Sequence, residues 1–408
     1  MLAASSEKSS YGTKQSNKIY TPVFERNNTD ESARRGSFIT EPPLDAGMDV
    51  DVIIGESCAR DWETVDADAV EPVRFAVVGL GWFTRGRALP ALVASDRCEP
   101  AVLVSGSAEK AEQLTATTDG AERGLTYDEF HDGVARDAYD AVYIVTPNAL
   151  HLPYVETAAA FDKDVLCEKP MERDSDRATG LRDAAGEAGI DLMVAYRMHT
   201  EPAVRRARDL VAAGRVGEPL SVTGDMSQRL LDRVNPDPDQ WRLDAELGGG
   251  GALFDIGIYP LNTARFLLDA DPVAVTGRTT STHDAFDEVE ETVSFSVEFP
   301  GDVYANCFAS HNARQSSGIT VTGTEGQVRV EPAFFQEQDR RLHVSRGDGR
   351  ASVTIARVDQ MREEFDYFAD RLRSGAPVGP DGDHGLVDMH AMEAVYEAAE
   401  TGRWVSLD

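Results

Sequence analysis

Between residues 73 and 197, short apolar runs alternate with longer stretches of helical periodicity. VRFAVVG (73–79) is rich in β-formers and closes on a glycine, the pattern of a strand buried on both faces. A helical stretch interrupted at Pro90 follows, and then AVLVS (101–105) and a helix over about 107–117. AVYIVTPN (141–148), a helix at 150–161, DVLCEKP (164–170), a helix over 173–188 and LMVAYR (192–197) continue the alternation. Strands separated by helices of this length predict a doubly wound parallel sheet of the Rossmann kind.

The period changes after Pro202. A helix at 202–213 leads into SVTGDMSQ and a polar loop, NPDPDQW. Two-residue alternation then dominates, in VAVTGRTT, TVSFSVEF, VYANCFAS, GITVTG, QVRVEP, LHVSR and SVTIAR, before helices at 359–373 and 384–400. Half-buried strands joined by hairpin-like breaks predict a large, mostly antiparallel open sheet. The expected fold class is therefore α/β, with an N-terminal Rossmann domain (73–197) and a C-terminal α+β domain (198–408). Residues 1–72 form an N-terminal extension, of which at least 1–47, polar and without apolar periodicity, are expected to be disordered.

Charge narrows the function classes. The chain has 71 acidic and 40 basic residues, a net charge of −31. Such a surface repels nucleic acid and anionic lipid, so neither is an expected partner. The acids are spread through patterned segments, as on a globular surface adapted to high salt. Residues 1–47 hold six basic and six acidic residues, and the acidic composition begins at Met48, an alternative start. Arg34-Arg35 has no apolar segment after it, which argues against export. No apolar run reaches the roughly 18–20 residues needed to cross a bilayer. Cys58, Cys98, Cys167 and Cys307 have no metal-ligand spacing, so no metal is expected and the thiols suit a reducing, cytoplasmic location.

Gly79-Leu80-Gly81-Trp82-Phe83-Thr84 ends the first strand and opens a helix. The first glycine permits a tight turn, and the second lets backbone N–H groups approach a pyrophosphate at the helix N-terminus. At the end of the second strand an NAD site usually carries an acid. Here the chain reads Ser105-Gly106-Ser107, with Lys110 close by, a set suited to the 2′-phosphate of NADP.

Only six of the basic residues are lysines, and after Lys169 there is none. Lys169, in Glu168-Lys169-Pro170, lies at the end of a strand whose carboxyl edge faces the expected ligand. Asp255 and Tyr259, four apart in a helix expected over 252–266, follow four glycines that would let the backbone approach a ligand. Alcohol oxidation needs a base for the hydroxyl proton. A phenol with an ordinary pKa of about 10 serves if an ammonium stabilises its anion. Lys169 is assigned that role to Tyr259, and Asp255 is expected to orient the sugar hydroxyl or relay its proton.

CEKP (167–170), TPN (146–148) with His151, AYRMHTEP (195–202) and QWRLDAELGGGGALFDIGIYPLN (240–262) resemble the glucose–fructose oxidoreductase/inositol dehydrogenase family over residues 73–408. The resemblance implies that Lys169, Asp255 and Tyr259 are catalytic and that the Lys169–Pro170 bond is cis. It implies a cofactor site made of Gly79, Gly81, Trp82, Phe83, Ser105, Gly106, Ser107, Lys110, Thr146, Pro147, Asn148, His151, Glu168, Arg197, Trp241 and Arg242. It also implies a homo-oligomer formed through the open sheet. The function to expect is an aldose 1-dehydrogenase with exchangeable NADP, making an aldono-lactone, with D-xylose as the aldose. A transhydrogenase with tightly held NADP and a non-enzymatic sugar sensor are the alternatives.

Overall fold

The computed structural model describes residues 60–407. The disorder expected for 1–47, the alternative start at Met48 and Cys58 lie outside the described residues.

Strands β1 (Val73–Val78), β2 (Cys98–Ser105), β3 (Arg123–Thr126), β4 (Ala141–Ile144), β5 (Asp164–Glu168) and β6 (Leu192–Ala195) form one parallel sheet in the order 3-2-1-4-5-6. The order reverses between β1 and β4, which opens a crevice at their carboxyl ends. The helices between them are α1 (residues 82–93), α2 (Ala108–Thr115), α3 (His151–Ala160) and α4 (Ser175–Ala188). In β1, Phe75 and Val77 enter one apolar cluster while Ala76 and Val78 enter another, so the strand is buried on both faces. That double burial is why its sequence is a continuous apolar run.

Two local expectations are corrected. Pro90 does not interrupt the helix after the glycine loop. Thr84–Ala88 is wound as a π-helix, and the wider turn takes up the register change that a missing N–H imposes. β3 was not expected, because RGLT is short and carries no apolar alternation.

After α5 (Pro202–Ala212) come β7 (Pro219–Arg229), a π turn at Leu253–Gly257 and helix α6 (Ile258–Leu268). Strands β8 (Ala274–Thr280), β9 (Thr292–Phe299), β10 (Val303–Ser310) and β11 (Asn312–Gly323) follow. The sheet continues with β12 (Gly326–Glu331), β13 (Arg340–Arg346) and β14 (Gly349–Ile355), and β15 (Val405–Ser406) closes its other edge. Its order is 14-13-12-11-7-10-9-8-15, antiparallel throughout except for the β7–β10 pair. Alternation is clear in β9: Val293, Phe295, Val297 and Phe299 are buried, while the residues between them face the open side. On that open side β10 presents Tyr304 and Phe308.

Helix α7 (Gln360–Ser374) returns to the first sheet. Met361, Phe365 and Phe368 join the cluster of Phe75 and Val77, with the Phe75 and Phe365 rings 5.4 Å apart edge to face. This return brings a C-terminal segment beside the carboxyl ends of β4–β6. Helix α8 (Gly382–Thr401) packs against β8 and α4.

Candidate active site

A cleft of about 440 Å³ runs along the carboxyl ends of the parallel strands and is closed on its far side by the second sheet. Its dinucleotide end is built by the loop after β1. Gly79 has φ +102°, and a Cβ there would meet the Val145 carbonyl oxygen at 2.8 Å, so only glycine fits that turn. Thr84, where a third glycine was absent, is buried and donates its hydroxyl to the Gly79 carbonyl oxygen at 2.5 Å, closing the loop. Gly81 faces open space, and the first N–H groups of α1 lie beside it without helical partners. The Thr146 hydroxyl, on the residue packed against Gly79, is buried and unpartnered among the described residues. An open cradle, free N–H groups and an orphaned hydroxyl fit a pyrophosphate-bearing cofactor.

Most of the residues expected at the cofactor line this cleft: Gly79, Gly81, Trp82, Phe83, Ser105, Lys110, Thr146, Pro147, Asn148, Glu168, Arg197, Trp241 and Arg242. Three do not. Gly106 lies under the ring of Tyr127, which takes the lining position instead. The Ser107 hydroxyl accepts the Lys110 N–H at 3.3 Å as the N-cap of α2. His151 is fully buried behind the wall, with its ring nitrogens 3.0 Å from the Thr146 carbonyl oxygen and 3.1 Å from that of Met171. Burial lowers its pKa, so the neutral ring donates to one of these at a time. His151 thus ties the TPN loop to the EKP turn.

The four glycines have a different reason from the one expected. A Cβ on Gly249 would lie 2.2 Å from the Arg173 carbonyl oxygen, and one on Gly251 would lie 2.1 Å from that of Glu290. Their close approach is to the protein's own backbone. Asn148 fastens the loop by donating to the Gly248 carbonyl oxygen at 2.8 Å.

Lys169, Asp255 and Tyr259 meet in the cleft. Lys169 Nζ donates to the Asp255 carbonyl oxygen at 2.7 Å and lies 3.6 Å from Oδ1 of the same residue. The local sequence explains why that carbonyl is available. In the π register of Leu253–Gly257, its helical partner would be the N–H of residue 260, and Pro260 has none. The Lys169–Pro170 peptide is cis, as the resemblance implied. Glu168 is held from two sides, accepting from the Tyr143 hydroxyl at 2.7 Å and from the Lys169 N–H at 3.2 Å.

Two cations flank the phenol. Lys169 Nζ and Arg197 Cζ each lie 4.9 Å from the Tyr259 ring centre. Burial alone would raise the Asp255 carboxyl, but the charges of Arg242 and Lys169, with His311, hold it well below the usual range. Arg242 Nε and His311 Nε2 are both 3.4 Å from Asp255 Oδ2. Burial pushes His311 down to about 4, so at neutral pH it is uncharged and the two cations carry the effect. The Asp255 oxygens hold Lys169, and the carboxylate offers an acceptor to a hydroxyl.

Several lining residues carried no sequence signal. Arg87, from the π turn of α1, pairs with Glu337 across the cleft mouth. Met226, Gln228, Phe335 and Gln336 come from the second sheet and its loops, and Glu364 comes from α7. A wider depression of about 740 Å³ beside Phe335 is lined by Arg229, Arg233 and Arg314 and contains none of the chemistry above.

Comparison with known proteins bears on this site. The family model described as "Oxidoreductase family, NAD-binding Rossmann fold" (GFO/IDH/MocA) matches residues 73–196, and the GFO/IDH/MocA C-terminal domain matches 204–329. The chain is 55% identical to the D-xylose 1-dehydrogenase (NADP(+)) of Haloarcula marismortui, across 88% of this chain and 100% of the relative. It is 31% identical to D-xylose 1-dehydrogenase (NADP(+)) 2 of Haloferax volcanii, across 82% and 99%. Among solved structures, the aldose-aldose oxidoreductase of Caulobacter crescentus complexed with glycerol superposes with a TM-score of 0.77 at 32% identity, covering 83% of this chain and 100% of that one.

Proposed function

The chain belongs to the GFO/IDH/MocA oxidoreductase family, and from that premise we propose that it is an NADP-dependent aldose 1-dehydrogenase, oxidising D-xylose at C1 to the lactone. The observation that carries the reading is Tyr259 set between Lys169 and Arg197 in a dinucleotide cleft.

NADP, when bound, accepts the hydride of the C1–H bond; the protein's own task is the proton. Gly79, Gly81 and Thr146 would hold the pyrophosphate region, and Ser105 and Lys110 the 2′-phosphate. The C1 hydroxyl proton passes to the Tyr259 oxygen as the C1=O bond of the lactone forms. Negative charge on that oxygen is stabilised by the Lys169 ammonium and the Arg197 guanidinium. Asp255 keeps the ammonium in place, because its carbonyl and carboxylate oxygens both face Nζ. Trp241 and Arg242, 4.4 Å apart and stacked, form the wall beside them.

The similarity to an aldose-aldose oxidoreductase favours a second reading, in which NADP stays bound and a second sugar is the oxidant. Cofactor exchange separates the two. Dinucleotide-free protein should form NADPH, followed at 340 nm, from D-xylose and added NADP at high salt, with lactone as product. Absence of NADPH from every pentose and hexose would remove the dehydrogenase reading. Turnover that needs no added cofactor would favour the second.

Cytoplasmic location and salt adaptation belong to the same reading. They are supported by unpaired, buried Cys98, Cys167 and Cys307 and by the charge of −31. No helix among the described residues is long and apolar enough to cross a membrane. A homo-oligomer formed through the open face of the second sheet is supported by exposed Leu220, Tyr304 and Phe308.

A further inference from the structure

Glu364 is unlike the other acids of the cleft. It is 1% exposed, lines the cleft, and has no partner for either carboxyl oxygen among the described residues. Its neighbour Glu168 has both oxygens engaged, by Tyr143 and by the Lys169 N–H. An isolated buried carboxyl with two idle oxygens is costly unless something fills the space before it.

Topology says what that is. The glycine loop follows β1 and the Ser105 region follows β2, so the phosphate and adenosine parts of a dinucleotide occupy the β1–β3 half. The nicotinamide then falls at the ends of β4–β6, where Glu168, Ala195 and Arg197 line the cleft. Glu364 reaches this half from α7, whose Phe365 packs on the parallel sheet, and the charges that act on it are those of Glu168 and Arg197. Burial is the main cause that raises the Glu364 carboxyl well above the usual range; the Glu168 charge adds to it and the Arg197 guanidinium opposes it. A neutral carboxyl has one O–H donor and one carbonyl acceptor. The nicotinamide carboxamide has the complement, a C=O and an N–H on the same carbon.

We propose that Glu364 receives the nicotinamide carboxamide, its O–H donating to the amide carbonyl and its C=O accepting the amide N–H. The proposal rests on the dinucleotide reading of this cleft. It assigns a cofactor contact to a residue of the C-terminal helix.

The test is a ratio of two affinities within each variant. NADP and its 3-acetylpyridine counterpart, which keeps the carbonyl but lacks the amide N–H, are titrated by quenching of the cleft tryptophans Trp82 and Trp241. Wild type should bind the carboxamide form about 10-fold more tightly, the effect of one good hydrogen bond to a buried partner. Glu364→Met should bring the two affinities within about 3-fold, while Glu364→Gln, which keeps a donor and an acceptor, should retain the preference. If the methionine variant does not fold, Glu364→Leu carries the same expectation. A preference that survives loss of the carboxyl, or is absent in wild type, overturns the assignment. So does a raised KM for the aldose with the cofactor ratio unchanged, which would place Glu364 on the sugar. Wild-type protein that binds neither dinucleotide would refute the reading of the cleft itself, and this proposal with it.

Discussion

Replacing Lys169 by methionine removes one of two cations against Tyr259 while keeping most of the side chain's volume. The ammonium lies 4.9 Å from the ring centre. At that distance, with an effective dielectric constant of about 20, opposite unit charges attract by about 3 kcal/mol. That attraction favours the phenolate that accepts the hydroxyl proton, so its loss leaves about 100-fold less of the base and lowers kcat by about the same factor. Arg197 stands at the same 4.9 Å, so its removal should cost a comparable factor; because both cations act on one ring, the double variant should lose less than the product of the two single losses. Lys169→Arg should not rescue, because a planar fork cannot reproduce a single 2.7 Å contact to the Asp255 carbonyl oxygen and still reach a hydroxyl. The assay is single-turnover formation of NADPH at saturating D-xylose, with NADP affinity measured separately and expected to stay within about 3-fold. A Lys169→Met enzyme that binds NADP normally and turns over within about 5-fold of wild type would refute the electrostatic account.

Three further outcomes are expected. Ser105→Asp, placing a carboxylate at the position proposed for the 2′-phosphate, should shift the NADP/NAD ratio of kcat/KM toward NAD by at least about 10-fold; an unchanged ratio would locate that reading elsewhere. His151, His199, His311 and His384 are all lowered by burial, His311 to about 4 and His384 to about 3. The unfolded chain binds protons at these residues near pH 6.5 and the folded chain does not, so stability is full above about 6.5 and is lost as pH falls toward those values. Denaturation midpoints that stay flat from pH 7.5 to 4.5 at fixed salt would contradict this. With a charge of −31, the melting temperature should rise on moving from dilute buffer to molar KCl, and a flat or falling curve would contradict the reading of the surface.

The fold was legible because burial on two faces and burial on one face leave different patterns. β1, between two helical layers, is apolar at nearly every position; β9, open on one side, alternates strictly. β3 escaped notice because a four-residue strand such as RGLT has no pattern to read. The cofactor loop was legible for a local reason: a glycine turn set between a buried strand and a helix leaves free N–H groups suited to a phosphate. His151 and the four glycines were legible as unusual but not as to purpose. His151, Gly248, Gly249 and Gly251 lie against the protein's own carbonyls and Gly250 against the Tyr396 hydroxyl, and only their surroundings reveal that.

By itself, the sequence determined the two sheets, the class of cofactor loop and the marked status of Lys169, since each depends on local periodicity, turn chemistry or composition. Tertiary structure decided everything that requires two distant segments to meet. It placed Arg197 and Lys169 at equal distance from the Tyr259 ring, and set Arg242 and Lys169 against Asp255 so that its carboxyl is held below the usual range. It carried Glu364 on a C-terminal helix back to the parallel sheet, leaving its carboxyl with no partner among the described residues in the cofactor's half of the cleft. Charge effects of this kind depend on separation and burial in space. Neither quantity is encoded in the spacing of residues along the chain.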